Sequence, residues 1–258
     1  MKIAISGKGG VGKTLLAAHL IKLFAESNFT VLAVDADPDA NLAATLGFPD
    51  ADRIIPISEM KELVEERTGL GGGYFKLNPK VDDIPEKYAA KHDGIRLMRM
   101  GRVKKGGSGC YCAENTLLRS LIAHLLIARN EVVIMDMAAG IEHLNRGTAS
   151  AVDQLIIVVE PGRRSIETAS EIEKLSTDLG IMKISIVGNK IHNDEDISYL
   201  QSRLPQNKLL GFIHYDQAII EAEQKGRSVL DASPLVSHDV RKIFTILTEN
   251  SEIPKNNG

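Results

Sequence analysis

The residues best suited to chemistry form a glycine-rich stretch near the start of the chain. The stretch follows the apolar run Ile3–Ile5 and consists of Gly7, Lys8, Gly9, Gly10, Val11, Gly12, Lys13 and Thr14. The pattern G-x-x-x-x-G-K-T, between a predicted strand and a predicted helix, is that of a phosphate-binding loop. Its glycines let successive backbone N–H groups point at a polyphosphate. Lys13 would then reach the β- and γ-phosphates as a catalytic residue, and the Thr14 hydroxyl would bind Mg²⁺.

Aspartates at two predicted strand ends are candidates for the same site. Ligands of open α/β sheets bind beyond the carboxyl ends of the strands. Asp136 ends the apolar run Val132–Asp136 and is predicted to hold Mg²⁺ directly or through water. Asp35–Asp39 follows the second predicted strand, and this Asp/Pro-rich stretch is either part of the site or an ordinary turn.

Asn189 and Lys190 end a third predicted strand and bear on which base is bound. The pair resembles the start of the guanine-reading N-K-x-D motif, but position 192 is His192. Since the aspartate that selects guanine is missing, the sequence favours ATP over GTP.

The two cysteines of the chain are Cys110 and Cys112, just before a predicted helix. On glycine-rich backbone both sulfurs can turn to one side, but two thiolates are only half of a tetrahedral zinc site. Two copies meeting across a two-fold axis would supply four sulfurs, suited to Zn²⁺ or Ni²⁺. The alternatives are two free thiols in a turn or a strained intrachain disulfide.

These residues must be positioned by an α/β fold, because short apolar runs alternate with helical patterns. We predict a mostly parallel sheet of about seven strands with helices on both faces. The chain reads as a single domain over 1–258 with an inserted segment at about 51–93. That segment contains a predicted helix, Ser58–Thr68, and a glycine-rich run expected to be a mobile loop. A segment of this length is typical of a functional lid, a binding loop or a disordered segment. The predicted strands are Lys2–Ser6, Val31–Asp35, Ile95–Met100, Val132–Asp136, Leu155–Glu160, Ile184–Asn189 and Leu209–Ile213. The predicted helices are Lys13–Glu26, Glu114–Ala128, Arg164–Leu179, Ile197–Leu204, Asp216–Lys225 and Leu235–Thr248.

Composition narrows the class of protein. The formal net charge is −3 over 258 residues, which gives no electrostatic reason to expect a nucleic-acid partner. No apolar run approaches the ~20 residues needed to cross a bilayer, and the start of the chain lacks the profile of a signal peptide. We therefore expect a cytoplasmic protein without a membrane partner.

The loop resembles the deviant Walker A motif of the MinD/ParA/nitrogenase-iron-protein class of ATPases, because Lys8 is a second lysine inside it. The resemblance implies that Lys8 crosses a homodimer interface to the partner's nucleotide as a catalytic residue; otherwise Lys8 is a solvated loop charge. It also identifies the Asp35–Asp39 stretch as switch I. There Asp37, with Asp39 as the alternate, orients the attacking water and helps to hold Mg²⁺. An asparagine in the position of Asn189 contacts adenine in ATP-using relatives.

A closer resemblance is to the CooC-type accessory ATPases. It rests on the loop, on 136–143 (DMAAGIEH), on 109–112 (GCYC) and on 75–85 (FKLNPKVDDIP). It implies a homodimer that binds nickel or zinc through Cys110 and Cys112. ATP hydrolysis would be coupled to nickel delivery to the apoenzyme of carbon monoxide dehydrogenase or acetyl-CoA synthase.

Other functions of the same class remain open. A nucleotide-gated switch or binding module with little turnover would have the same phosphate-binding loop. An iron–sulfur electron donor fits less well, because the chain has no cysteine after Cys112. A MinD-type membrane protein would end in a basic amphipathic helix, which the acidic and polar end of this sequence does not provide.

Overall fold

The computed structural model describes residues 1–69, 76–101, 113–127, 131–141, 144 and 146–249. In this part of the chain one sheet contains eight strands in the order β3-β4-β2-β5-β1-β6-β7-β8. All neighbouring strands are parallel except β3 and β4. The strands are β1 (Lys2–Gly7), β2 (Val31–Ala36), β3 (Ala90–His92), β4 (Ile95–Arg99), β5 (Val132–Met137), β6 (Gln154–Val159), β7 (Ile184–Ile191) and β8 (Leu209–His214).

Helices lie on both faces of the sheet, as the alternating pattern predicts. They are α1 (Lys13–Glu26), α2 (Leu42–Thr45), α3 (Lys61–Thr68), α4 (Ile84–Tyr88), α5 (Ala113–Ile127), α6 (Arg146–Ala149), α7 (Arg163–Asp178), α8 (Asp194–Arg203), α9 (Gln217–Gln224) and α10 (Pro234–Glu249). The α/β class and all seven predicted strands are confirmed, as are the six long helices outside the inserted segment.

The sequence did not predict the short helices α2, α4 and α6, and three further details differ from its prediction. The additional strand β3 has three residues, none of them buried, and therefore lacks the apolar run by which the other strands are recognised. Helix α8 begins three residues before the predicted start, because the Asn193 side chain accepts a hydrogen bond from the Asp196 N–H and caps it there. Helix α3 begins at Lys61, after a 3₁₀ turn at Ile57–Glu59.

The core consists of two apolar layers, one on each face of the sheet. Side chains alternate along β1, so that Ile3 and Ile5 pack with α1 and α10, whereas Ala4 packs on the face covered by α5. The sheet therefore fixes the direction of each strand end, including the ends that precede the candidate site residues.

The described part of the segment predicted as an insertion packs against the core. Ile57, Leu63 and Ile84 are buried in the same apolar layer as α5. The Arg67 guanidinium donates two hydrogen bonds to the Asp83 carboxylate at 2.9 and 2.8 Å, which joins α3 to the start of α4. The glycines at 71–73 lie outside the described residues.

Among the helices described, none combines the length and the apolar character required of a membrane span.

Candidate nucleotide-binding site

The carboxyl ends of the central strands bring the candidate site residues together. β1 lies between β5 and β6, and β2 lies on the other side of β5. In this register Asp136 is paired with Ile5 of β1 and with Asp35 of β2. The phosphate-binding loop, which starts at Gly7, and both aspartates therefore lie at one edge of the sheet, as expected for ligand sites in parallel sheets.

Two glycines of the loop are required by its backbone geometry. Gly7 has a φ of 148°, and a Cβ atom there would lie 2.4 Å from the Val158 carbonyl oxygen of β6. Gly12 has a φ of 95°, and a Cβ atom there would lie 2.1 Å from the Asn189 amide nitrogen. Because only glycine combines this conformation with this close approach, the spacing of the motif is imposed by the fold.

Lys13 is almost fully buried, at 6% exposure, although it begins a helix. Its Nζ atom donates to the Lys8 carbonyl oxygen at 3.3 Å, which lies within the loop. The Val11 N–H donates to the same oxygen at 3.4 Å. An ammonium and an N–H group thus share one backbone acceptor in the loop, and a phosphate oxygen could replace that carbonyl oxygen as their acceptor.

Asp136 and Thr14 form the part of the site that fits Mg²⁺. The Thr14 hydroxyl donates to Asp136 Oδ2 at 2.6 Å. Asp136 is fully buried, and its Oδ1 atom has no hydrogen-bond partner among the described residues. Burial raises the pKa of Asp136 to about 7; the Thr14 hydrogen bond opposes this, and the charge of Asp35 adds to it. A buried carboxylate oxygen beside a hydroxyl is the hard oxygen donor set that Mg²⁺ prefers.

Asp35 and Asp37 shape the loop after β2. The Asp35 carboxylate accepts hydrogen bonds from the N–H groups of Asp37 at 3.3 Å and Leu42 at 3.1 Å. Burial nevertheless raises the pKa of Asp35 to about 6. Asp37 Oδ1 accepts from the Asp39 N–H at 3.0 Å, and Asp39 itself is exposed. The charge of Asp37, the first choice for the switch aspartate, acts on Asp136 and also raises its pKa.

Asn189 lies directly beside the loop. It is buried, and its Nδ2 atom donates to the Val11 carbonyl oxygen at 2.7 Å. Its predicted contact with adenine remains a prediction. Beyond the end of β7, the rings of His192 and Tyr215 stack with centroids 4.5 Å apart.

A cavity of about 490 Å³ opens from Thr14 along the first turn of α1. Its walls come from α1, α2, α9 and the segment after α9. Its lining residues include Thr14, Leu15, Asn41, Ile219, Glu223 and Arg227. A volume of this size at the exit of a phosphate-binding loop is compatible with the nucleoside part of a ligand.

Sequence reasoning missed Glu160 and did not assign a role to Lys190. Glu160 Oε1 lies 3.4 Å from Lys8 Nζ, and its Oε2 accepts from Lys190 Nζ at 3.1 Å. Lys190 Nζ also donates to the Gly10 carbonyl oxygen at 2.7 Å. Glu160 ends a predicted strand, so the rule that singled out Asp136 would also have found it.

The predicted metal ligands Cys110 and Cys112 lie outside the described residues. Within the described ranges, no group of three or more His, Cys, Asp or Glu residues is arranged to hold a metal ion.

Comparison with known proteins agrees with this geometry. Residues 2–229 match the family described as the CobQ/CobB/MinD/ParA nucleotide binding domain. The chain is 47% identical over 255 residues to the carbon monoxide dehydrogenase accessory protein CooC of Rhodospirillum rubrum, covering 96% of this chain and 97% of that protein. It is 43% identical, with the same coverage, to an uncharacterised ATP-binding protein of Methanocaldococcus jannaschii.

Solved structures are similar in fold. The MinD cell division protein of Aquifex aeolicus superposes with a TM-score of 0.67 at 22% identity, covering 98% of both chains. A plasmid partition protein of Borrelia burgdorferi bound to AMPPNP superposes with a TM-score of 0.70 at 15% identity, covering 96% of this chain and 98% of that one. The chain therefore belongs to the CobQ/CobB/MinD/ParA family of nucleotide-binding domains and, within it, to the CooC-type accessory proteins.

Proposed function

We propose that the chain is an ATP-dependent metallochaperone that assists nickel insertion into carbon monoxide dehydrogenase or acetyl-CoA synthase. The observation that supports this most strongly is the 47% identity, over almost the full length of both chains, to a protein named as a carbon monoxide dehydrogenase accessory protein. The activity would be hydrolysis of ATP to ADP and phosphate, slow without the client enzyme.

The loop and the two strand-end aspartates support the ATPase part of the proposal. In this proposal the N–H groups of the loop and the Lys13 ammonium bind the β- and γ-phosphates. Thr14 and Asp136 would hold Mg²⁺, which when bound neutralises charge on these phosphates. Asp37, whose charge already acts on Asp136, would orient the attacking water.

The metal would be cargo shared by two copies of the chain. In this proposal Cys110 and Cys112 of each subunit supply four thiolates to one Ni²⁺ or Zn²⁺ ion. Lys8, with 38% of its side chain exposed, would contact the nucleotide of the partner subunit. ATP drives delivery only if the metal affinity differs between the nucleotide states, because equal affinities would shift no equilibrium.

Metal binding is tested by measuring nickel and zinc per chain, together with solution mass, for wild type and for Cys110→Ser/Cys112→Ser. We expect half an ion per chain in a wild-type dimer and none in the variant, with ATP binding unchanged. A wild type that stays monomeric with metal and ATP supplied, or a variant that keeps its metal, would contradict the shared site.

Hydrolysis is tested by steady-state phosphate release with and without the client apoenzyme. We expect Asp136→Asn to abolish release and Asp37→Asn to reduce it while leaving ADP binding intact. Asp37 accepts the Asp39 N–H, so its carboxylate is engaged in its own loop. This contact favours a second candidate function, a nucleotide-gated switch with little turnover. A wild-type rate that is negligible even with client, and insensitive to Asp136→Asn, would favour the switch.

A further inference from the structure

The backbone of β7 is irregular at Lys190, whose side chain contacts the phosphate-binding loop. Its φ is +57°, a left-handed conformation that is uncommon for a residue other than glycine. The pairing of β7 with β8 shifts register between Gly188 and Ile191, which is the position of this residue. Such irregularities redirect a side chain, and an unfavourable backbone conformation persists where the surrounding contacts impose it.

The Lys190 ammonium then connects two elements. It donates to the Gly10 carbonyl oxygen at 2.7 Å and to Glu160 Oε2 at 3.1 Å. Glu160 Oε1 lies 3.4 Å from Lys8 Nζ. We call this set of contacts, formed by Lys8, Glu160 and Lys190, the Glu160 bridge. It joins both sides of the loop to the ends of β6 and β7.

Glu160 is itself held in place. Its backbone N–H donates to the Ser165 hydroxyl at 3.0 Å, at the start of α7. Burial raises the pKa of its carboxyl, but the hydrogen bonds and charges of Lys190 and then Lys8 outweigh burial and lower that pKa below its usual value. The carboxylate is therefore ionised at neutral pH and binds both ammonium groups.

The geometry of the peptide unit shows what the bridge does for binding. In a planar trans peptide, the C=O and the following N–H point in opposite directions. When Lys190 binds the Gly10 carbonyl, the N–H of Val11 points the opposite way and donates to the Lys8 carbonyl oxygen within the loop, with 3.4 Å between N and O. Loops of this kind bind phosphate through inward N–H groups, so the orientation of this carbonyl bears directly on affinity.

We propose that Lys190 and Glu160 are positioning residues of the phosphate-binding loop: they fix the Gly10 carbonyl outward and Lys8 beside the loop, and act on the polyphosphate rather than on the base. This inference rests on the nucleotide-binding part of the proposed function and is independent of the metal and the client enzyme.

The test separates the positioning of the loop from a change in the net charge of the chain. Lys190→Met/Glu160→Gln removes the bridge without changing the net charge of the chain. Calorimetric titration with Mg²⁺-tripolyphosphate, Mg²⁺-ATP and adenosine reports the phosphate and nucleoside parts separately. We expect the affinities for tripolyphosphate and ATP to fall together by about three- to tenfold, the range for a partly exposed, charged hydrogen bond. The affinity for adenosine is expected to stay unchanged.

Two further variants control for a general loss of structure. Lys190→Gly/Glu160→Gln also lacks the ammonium, but glycine suits the left-handed backbone, so we expect equal or higher thermal stability with the same weakened binding. Lys208→Met/Glu173→Gln removes a Lys–Glu ion pair between α7 and the segment before β8. It serves as the matched control, with wild-type affinities expected.

Unchanged tripolyphosphate affinity in the charge-neutral variant would overturn the inference. A loss for ATP alone would also overturn it, because Lys190 would then act on the nucleoside. A loss in the methionine variant without a loss in the glycine variant would attribute the effect to backbone strain. Wild-type protein that binds neither ATP nor tripolyphosphate would remove the proposed function itself, a result distinct from these three.

Discussion

Substitution of Asp136 by asparagine tests the electrostatic description of the site through protein stability. Asp136 is fully buried, and its pKa in the folded chain is about 7, against 3.8 for an ordinary aspartate. The unfolded chain loses the Asp136 proton near pH 4, whereas the folded chain keeps it until about pH 7, because the folded-state pKa is raised. The contribution of Asp136 to the free energy of unfolding is therefore fully present below about pH 4 and is lost as the pH rises through 7.

The magnitude follows from the same values. At 1.36 kcal/mol per pKa unit, the change from 3.8 to about 7 corresponds to about 4 kcal/mol of unfolding free energy lost by pH 8, as an upper estimate. Asp35, with a pKa of about 6, loses stability over a similar window, by about 3 kcal/mol at most. Of these two losses only that of Asp35 remains in Asp136→Asn, so the part of the pH dependence that comes from the two aspartates should be about halved.

The assay is urea denaturation of both proteins from pH 4.5 to pH 8 with a chelator present, since Mg²⁺ bound to Asp136 would oppose the effect. We expect the free energy of unfolding of the variant to rise relative to that of wild type as the pH rises. Near pH 4.5 the two proteins should differ only by the pH-independent effect of the substitution. Parallel curves for the two proteins would refute the assignment of a buried, partly protonated Asp136.

Three further substitutions test the packing and hydrogen bonding of the structure. Gly7→Ala should fail to fold or lose more than about 3 kcal/mol, because its Cβ would lie 2.4 Å from the Val158 backbone oxygen. Gly9→Ala should melt within about 3 °C of wild type, since no described atom lies within 4 Å of its Cβ position and its φ is not positive; thermal melting checks both. Arg67→Met should cost about 1–2 kcal/mol in urea denaturation, because it removes the two-point hydrogen bond that lowers the pKa of Asp83. That loss should shrink at a pH low enough to protonate Asp83, and a pH-independent loss would show that only packing was removed.

Strands that are long and apolar could be predicted from the sequence because their pattern is set by burial. Seven strands were found this way, and their ends led to Asp136 and to the loop at Gly7. β3 was missed because it has three residues and none is buried. It is held by antiparallel pairing with β4, from Ala90 opposite Leu97 to His92 opposite Ile95. Such pairing depends on a partner distant in space, which local periodicity cannot indicate.

The site was predictable in its motif but not in its supporting contacts. The spacing of Lys13 and Thr14 after the glycines is a local signal, whereas the contact of Asn189 with Val11 joins residues 178 positions apart. The sequence suggested a base contact for Asn189. The structure shows that one of its amide hydrogens is already used by the loop, a contact that only the order of the strands in the sheet makes possible.

The two buried aspartates connect the stability of the fold to its chemistry. A sheet centre that is otherwise apolar does not gain stability from ionised carboxylates at Asp35 and Asp136, which are register partners on neighbouring strands. Burial raises both pKa values, and the charge of Asp35 adds to the rise at Asp136. A divalent cation bound at Asp136 would relieve this unfavourable charge, so binding of Mg²⁺ with nucleotide should release a proton near pH 7 and stabilise the same edge of the sheet. Two buried carboxylates with raised pKa values thus lie where a bound cation would change their electrostatic environment, next to the loop that contains Asp37.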